Sequence, residues 1–219
     1  MNKRFILVLV AFVAVFGVLL TLGKRDNQTS NNESGSSNVA PTEHKTGEGT
    51  SGVTLIEYGD FECPACKQYF PLVEAVKQKY GDQITFQFRH FPLTQIHKNA
   101  LSSARAAEAA AKQGKFWEMY AILYERQDIW KNSTNATSEF ENYAQELSLD
   151  VEKFKEDLRS EEVNDLVQAD LNEAQKLELS STPSFVLNGE KIENPRSADD
   201  FYRVIDEAIA ANQNQDQNQ

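Results

Sequence analysis

The sequence predicts an α/β domain laid out as a βαβ unit, a block of helices and a closing ββα unit. Three observations carry that prediction. A β-rich apolar run at residues 53–58 leads through a short turn into an amphipathic stretch, then into a second, alternating run at 84–89. From about residue 96 to 179 every periodic signal is helical. β character returns at 184–187, where Asn188-Gly189 gives a strong hairpin signal.

Residues 5–22 (FILVLVAFVAVFGVLLTL) carry no charge. At about 1.5 Å per residue this run reaches roughly 27 Å, near the hydrocarbon thickness of a bilayer. Lys3 and Arg4 supply the basic flank of an export signal. No small-x-small cleavage site closes the run, since Leu19-Leu20-Thr21-Leu22 passes straight into Gly23-Lys24-Arg25. Residues 1–25 are therefore expected to be a retained signal anchor, a single transmembrane pass, rather than a cleaved peptide. Neither cysteine lies near its end, which excludes lipid attachment there. Residues 26–52 are polar, with almost nothing to bury, and read as a flexible linker spanning on the order of 25–30 Å. The folded domain is placed at 53–212, with a helical insertion at about 95–180. The low-complexity end, 213–219, reads as a disordered tail.

Within the domain, Val53-Thr54-Leu55-Ile56-Glu57-Tyr58 has the profile of a buried strand. The helix after Cys63-Pro64-Ala65-Cys66 turns Tyr69, Leu72, Val73 and Val76 to one side, and Gly81 stops it. The long crossover to the strand at 84–89 implies parallel pairing. Ala100, Leu101, Ala104, Ala107 and Ala111 form a small-residue helix face that ends at Gly114; Phe116, Met119, Tyr120 and Leu123 mark the next helix. Ser138-x-x-Glu141 reads as a capping box ahead of Tyr143, Ala144 and Leu147. Val163, Leu166, Val167, Leu171, Ala174 and Leu177 mark a long helix, and a final one is expected from Ser197.

The formal net charge is −11 and no Lys/Arg stripe is apparent, which argues against binding nucleic acid. Two cysteines in an exported chain ordinarily suggest a structural disulfide. Their spacing argues otherwise, because a loop this short removes little unfolded-state entropy. A redox pair is the better reading. Cys63 falls at a helix N-terminus, where unpaired N–H groups and the macrodipole favour a thiolate. Pro64 suits the first helical turn, and Cys66 lies one turn inward, able to attack a mixed disulfide formed at Cys63. A fall in the Cys63 pKa from about 8.5 to about 4.5 would stabilise the reduced form at neutral pH by about 3.4 kcal/mol, or roughly 75 mV. A four-cysteine zinc site is impossible with two cysteines, and His90 and His97 are too far apart for a mixed site. No metal and no cofactor beyond the Cys63–Cys66 disulfide is expected.

These motifs resemble the DsbA-like thiol oxidoreductases of the thioredoxin superfamily. The likeness rests on Glu57-Tyr58-Gly59-Asp60-Phe61-Glu62 running into Cys63-Pro64-Ala65-Cys66, and on Phe88-Arg89-His90-Phe91-Pro92-Leu93. Ala106-Ala107-Glu108-Ala109-Ala110, Gly114-Lys115-Phe116-Trp117 and Thr182-Pro183-Ser184-Phe185 extend it in the family's order. The resemblance implies a thioredoxin fold with a helical insertion, Cys63 as nucleophile, Cys66 as resolving thiol, and a cis Thr182–Pro183 bond beside them that helps hold an extended substrate. It aligns Glu57 with an acid the family places beneath the cysteines; buried, it would have a raised pKa and relay a proton to or from Cys66. The competing reading of Glu57 is a strand-edge side chain facing water. Glu62 is expected to be exposed. Ala65 stands where a histidine often lies, which removes a cation near the thiolate. His90 and His97 are expected at a strand end or a helix cap.

The function expected is donation of disulfides to reduced or unfolded exported proteins, with regeneration by a quinone-linked membrane re-oxidase. The catalytic domain would face the extracytoplasmic side of the cell membrane. A reductase or isomerase is the alternative within the class, and a non-catalytic module gripping extended chains is the alternative outside it.

Overall fold

A computed structural model describes residues 39–216. The predicted anchor at 1–25, residues 26–38 of the predicted linker and the last three residues lie outside the described part. Among the described residues no helix is long and apolar enough to cross a membrane.

The fold is α/β, a thioredoxin fold carrying a helical insertion. Five strands form one sheet in the order β1-β3-β2-β4-β5. These are β1 (His44–Thr46), β2 (Val53–Gly59), β3 (Ile84–His90), β4 (Ser184–Leu187) and β5 (Glu190–Ile192). The pair β2–β3 is parallel, as the long crossover between them requires, and the other pairs are antiparallel. Asn188 and Gly189 turn β4 into β5 with φ of 50° and 86°, the left-handed backbone a two-residue hairpin demands.

Eight helices complete the described chain: α1 (Pro64–Tyr80), α2 (Ala100–Ala111), α3 (Phe116–Glu125), α4 (Gln127–Trp130), α5 (Ala136–Glu146), α6 (Val151–Arg159), α7 (Glu161–Lys176) and α8 (Ala198–Asp216). Helix α1 packs against α8, and α2 is the hub of the insertion, touching α3, α5, α6 and α7. Its alanines make that possible. Ala104, Ala106, Ala107, Ala109 and Ala110 are all buried, so neighbours approach its backbone from several sides.

Strand alternation sorts the two faces of the sheet. Val53, Leu55, Phe86, Phe88, Phe185 and Leu187 join the main core with Cys66, Val73 and Val76 of α1. Tyr58 and Val186 point the other way, into a smaller cluster with Ala174 of α7 and Leu179. Glu57 shares the parity of Leu55 and therefore faces the main core. Gly59 ends β2 where no side chain fits: a Cβ there would lie 2.5 Å from the Phe88 ring and 2.9 Å from the Tyr124 hydroxyl.

Four expectations are corrected. The linker predicted at 26–52 is part of the fold from residue 39: Thr42 is buried and β1 pairs with β3, so the domain begins well before residue 53. Short polar strands such as His-Lys-Thr carry no apolar signal, because their stability comes from edge pairing. The tail predicted at 213–219 continues as helix to Asp216, since a polar run can extend a helix already anchored by Phe201 and Ile205. Ser138 does not cap α5, which begins at Ala136 after Asn135; the Ser138 hydroxyl instead accepts from the Asn135 side chain. Glu62 is 7% exposed rather than solvated, for a reason that belongs to the site.

Candidate active site

Cys63 occupies the N-cap of α1 with extended backbone (φ −67°, ψ 123°), and Pro64 opens the helix. Proline costs nothing there, because the first turn's N–H groups have no helical acceptor. Cys63 is 7% exposed and Cys66, one turn inward, is fully buried. Both are free thiols. The Thr182–Pro183 bond is cis, and the Thr182 carbonyl oxygen lies 3.4 Å from the Cys63 sulfur, which in its thiol form donates to it. The hydrogen bond from the Asn194 side chain to the Pro183 carbonyl (2.7 Å) holds this loop in place.

The electrostatics separate the two thiols. The Cys63 pKa is lowered from 9.0 to about 5, chiefly by the Cys66 thiol beside it. Burial opposes this shift, while the Thr182 side chain and the backbone N–H groups of Cys66 and Ala65 reinforce it. Those two N–H groups are the unpaired donors of the helix start, so the pattern follows from where the first cysteine sits. Cys66 goes the other way. Burial pushes its thiol well above 9.0, and Cys63 and Glu57 add to the shift. At neutral pH this arrangement gives one thiolate at the helix start and one protonated thiol a turn deeper.

Glu57 is fully buried on β2, which excludes the water-facing reading. Burial raises its pKa to about 8, against a weaker opposing effect of the Tyr120 hydroxyl, which donates to it at 3.3 Å. Its second oxygen has no hydrogen-bond partner among the described residues. A carboxyl group that titrates near neutrality and acts on the Cys66 titration can take up or release a proton there.

The loop between β2 and α1 is held by residues to which the sequence reading gave no role. One Asp60 oxygen accepts from the Glu62 N–H (2.8 Å); the other accepts from the Leu93 N–H (2.9 Å) and from His97 Nδ1 (2.7 Å). Glu62 accepts from the Asn99 N–H at the start of α2, which is why it is buried; burial raises its pKa. The Gln127 side chain donates to the carbonyls of Phe61 (2.7 Å) and Cys63 (2.9 Å). Nothing in the local sequence marks a lone Gln in a helical segment as a clamp for a loop far away in the chain. His97 thus lies in a loop, bonded to Asp60, and His90 closes β3 as expected.

A thioredoxin fold whose first long helix begins at a Cys-Pro-Ala-Cys pair, faced by a cis-proline loop, defines a class of redox-capable domains. The chain belongs to the thioredoxin family: the family described as "Thioredoxin" matches residues 39–207. Solved structures share its fold. BdbD from Bacillus subtilis superposes with a TM-score of 0.67 at 24% identity, over 78% of this chain and 96% of that one. Wolbachia pipientis alpha-DsbA1 gives a TM-score of 0.70 at 21% identity, over 81% and 96%. In sequence, the chain is 36% identical over 166 residues to a protein named Na(+)/H(+) antiporter NhaA 1 from Mycolicibacterium gilvum. That match spans 75% of this chain but only 26% of the relative, so the chain spans about a quarter of such relatives' length.

Proposed function

We propose that this chain is a protein thiol–disulfide oxidoreductase that donates the Cys63–Cys66 disulfide to reduced, extended proteins outside the cytoplasm. The observation that carries the reading is the split between the two thiols, Cys63 lowered to about 5 and Cys66 raised well above 9.0. A reduced form kept as thiolate is a good leaving state, so the oxidised form passes its disulfide on readily. At pH 7 a thiol of pKa about 5 favours the reduced pair by up to about 2.7 kcal/mol, or about 60 mV. Solvent at the open edge of Cys63 reduces that figure.

In the donating step the client thiolate attacks Cys63, and the Cys63–Cys66 bond breaks as the mixed disulfide forms. Electrons pass from client to enzyme, and the departing Cys66 sulfur takes a proton. Glu57 is the group we assign to supply it. A second client thiol then displaces Cys63, which leaves as the stable thiolate. The cis Thr182–Pro183 loop supports the client backbone beside Cys63. Ile96 and Ile129, exposed at 73% and 60%, lie on the two segments that clamp the cysteine loop; they support clients with exposed apolar side chains.

The remaining parts of the reading rest on the sequence. Residues 5–22 would anchor the chain in the cell membrane, residues 26–38 would tether the domain, and a quinone-linked membrane protein would re-oxidise it.

Equilibration with glutathione tests the central claim. A potential well above about −270 mV, the thioredoxin range, is expected; one at or below it would overturn donation in favour of reduction. Cys63→Ser should abolish exchange, and retained function would point to a non-catalytic chain-binding module. Fractionation of cells expressing the full chain should leave it with the membranes, and a version starting at residue 39 should be released.

A further inference from the structure

Away from the thiols, three side chains from three elements converge in the main domain. β1 and β3 are antiparallel with His44 opposite Phe88, so His44 and His90 are diagonal neighbours on one face of the sheet. Helix α2 covers that face and delivers Glu108. His44 Nε2 and His90 Nε2 meet the same Glu108 oxygen, at 2.5 and 2.6 Å. All three donor atoms lie within 4.8 Å of one another.

We propose that His44, His90 and Glu108 form a binding site for a divalent transition-metal ion of the zinc class, which pins β1 to the domain. Two imidazole nitrogens and one carboxylate oxygen are a donor set that zinc accepts, with water in a fourth position. Imidazole also selects against calcium and magnesium, which prefer all-oxygen cages. An ion about 2.0–2.2 Å from each donor needs the two rings to draw back from the oxygen by less than about 1 Å.

The rings are already oriented. His44 stacks on Phe116 at 3.5 Å between centroids, with planes 4° apart, and His90 sits edge-on to Phe88 and Phe116. Asp170 of α7 fixes the backbone on both sides. Its oxygens accept from the Thr42 N–H and hydroxyl, just before β1, and from the His90 N–H at the end of β3. Such outer support is what holds metal ligands in register. The site also has an entrance. The side chains of Glu108 and His90 are 3% and 1% exposed, but that of His44 is 14% exposed.

Titration calorimetry on the tag-free full chain, stripped with chelator, tests the site. The Cys63–Cys66 disulfide is kept oxidised so that no thiolate can ligate. Zinc chloride should bind one ion per chain and raise the melting temperature as free zinc rises. Cobalt(II) should give the visible bands of four-coordinate nitrogen/oxygen ligation without a sulfur charge-transfer band. His44→Ala and His44→Asn should each weaken zinc by more than about tenfold, with native circular dichroism, and Glu108→Gln should do the same. His97→Ala, which removes the third histidine of the sequence, should bind zinc as the parent does. No saturable zinc binding by the oxidised chain would overturn the proposal. So would folded His44 variants that bind zinc normally, or calcium displacing zinc at equal concentration.

Discussion

At the scale of single residues, two sulfurs three positions apart experience opposite environments. Cys63 meets helix-start N–H groups and the Cys66 thiol; Cys66 is buried in the core, with Cys63 and Glu57 beside it. The Cys63 thiolate absorbance should therefore titrate with a midpoint near pH 5. Because this folded-state value lies below the ordinary 9.0, it adds stability to the reduced fold above about pH 5, and that gain is lost as pH falls through 5. Denaturant unfolding of reduced against oxidised protein should show the reduced form gaining between pH 5 and 8; a constant gap would remove the thiolate from the account. Glu57 has the reverse sign. With a folded-state pKa of about 8 against an ordinary 4.5, it costs stability as pH rises through that window. Glu57→Gln should stabilise the domain at pH 7 by about 1–3 kcal/mol. The same variant should slow disulfide transfer by on the order of 100-fold and erase a pH-rate inflection near 8. A faster or unchanged rate would deny Glu57 its proton-transfer role.

At the scale of elements, the joint between β2 and α1 depends on groups that arrive from elsewhere. Asp60 alone receives three donors, two of them from the segment before α2. Asp60→Ala should cost about 2–4 kcal/mol, since it leaves buried N–H groups unpaired. It should also increase hydrogen exchange at Leu93 and Glu62 more than in β2. Gly59 is constrained by space instead. Gly59→Ala drives a methyl group into the Phe88 ring and the Tyr124 hydroxyl, and a loss of about 1–3 kcal/mol is expected in thermal unfolding. The legible elements were those with a strong apolar period: β2, α1, β3 and α7 follow the spacing of their apolar residues. The start of α5 was misread at Ser138 because a capping pattern is common in polar stretches and only the preceding turn decides which residue begins the helix.

For the whole molecule, the insertion from α2 to α7 interrupts the thioredoxin core yet shares its apolar interior with it. The folded domain also takes in β1 and Thr42, which precede residue 53 and join it through strand pairing and hydrogen bonds. A chain beginning at residue 39 should fold and exchange disulfides like the full chain, whereas one beginning at residue 53 loses β1 and the Thr42–Asp170 bonds. Its melting temperature should fall by several degrees. Equal melting of the two would make β1 an ornament of the sheet edge.

The βαβ and ββα units on either side of a helical block, the position of a cysteine pair at a helix start, and the hairpin at Asn188-Gly189 were determined by sequence alone, because each depends on neighbours within a few residues. Burial of Glu57 and Glu62, the grip of Asp60 and Gln127 on the cysteine loop, and the meeting of His44, His90 and Glu108 were decided only by tertiary structure. The physical reason is range. Periodicity and capping are local free energies written along the chain, whereas a polar side chain's burial depends on which distant donor or acceptor the finished fold brings to it.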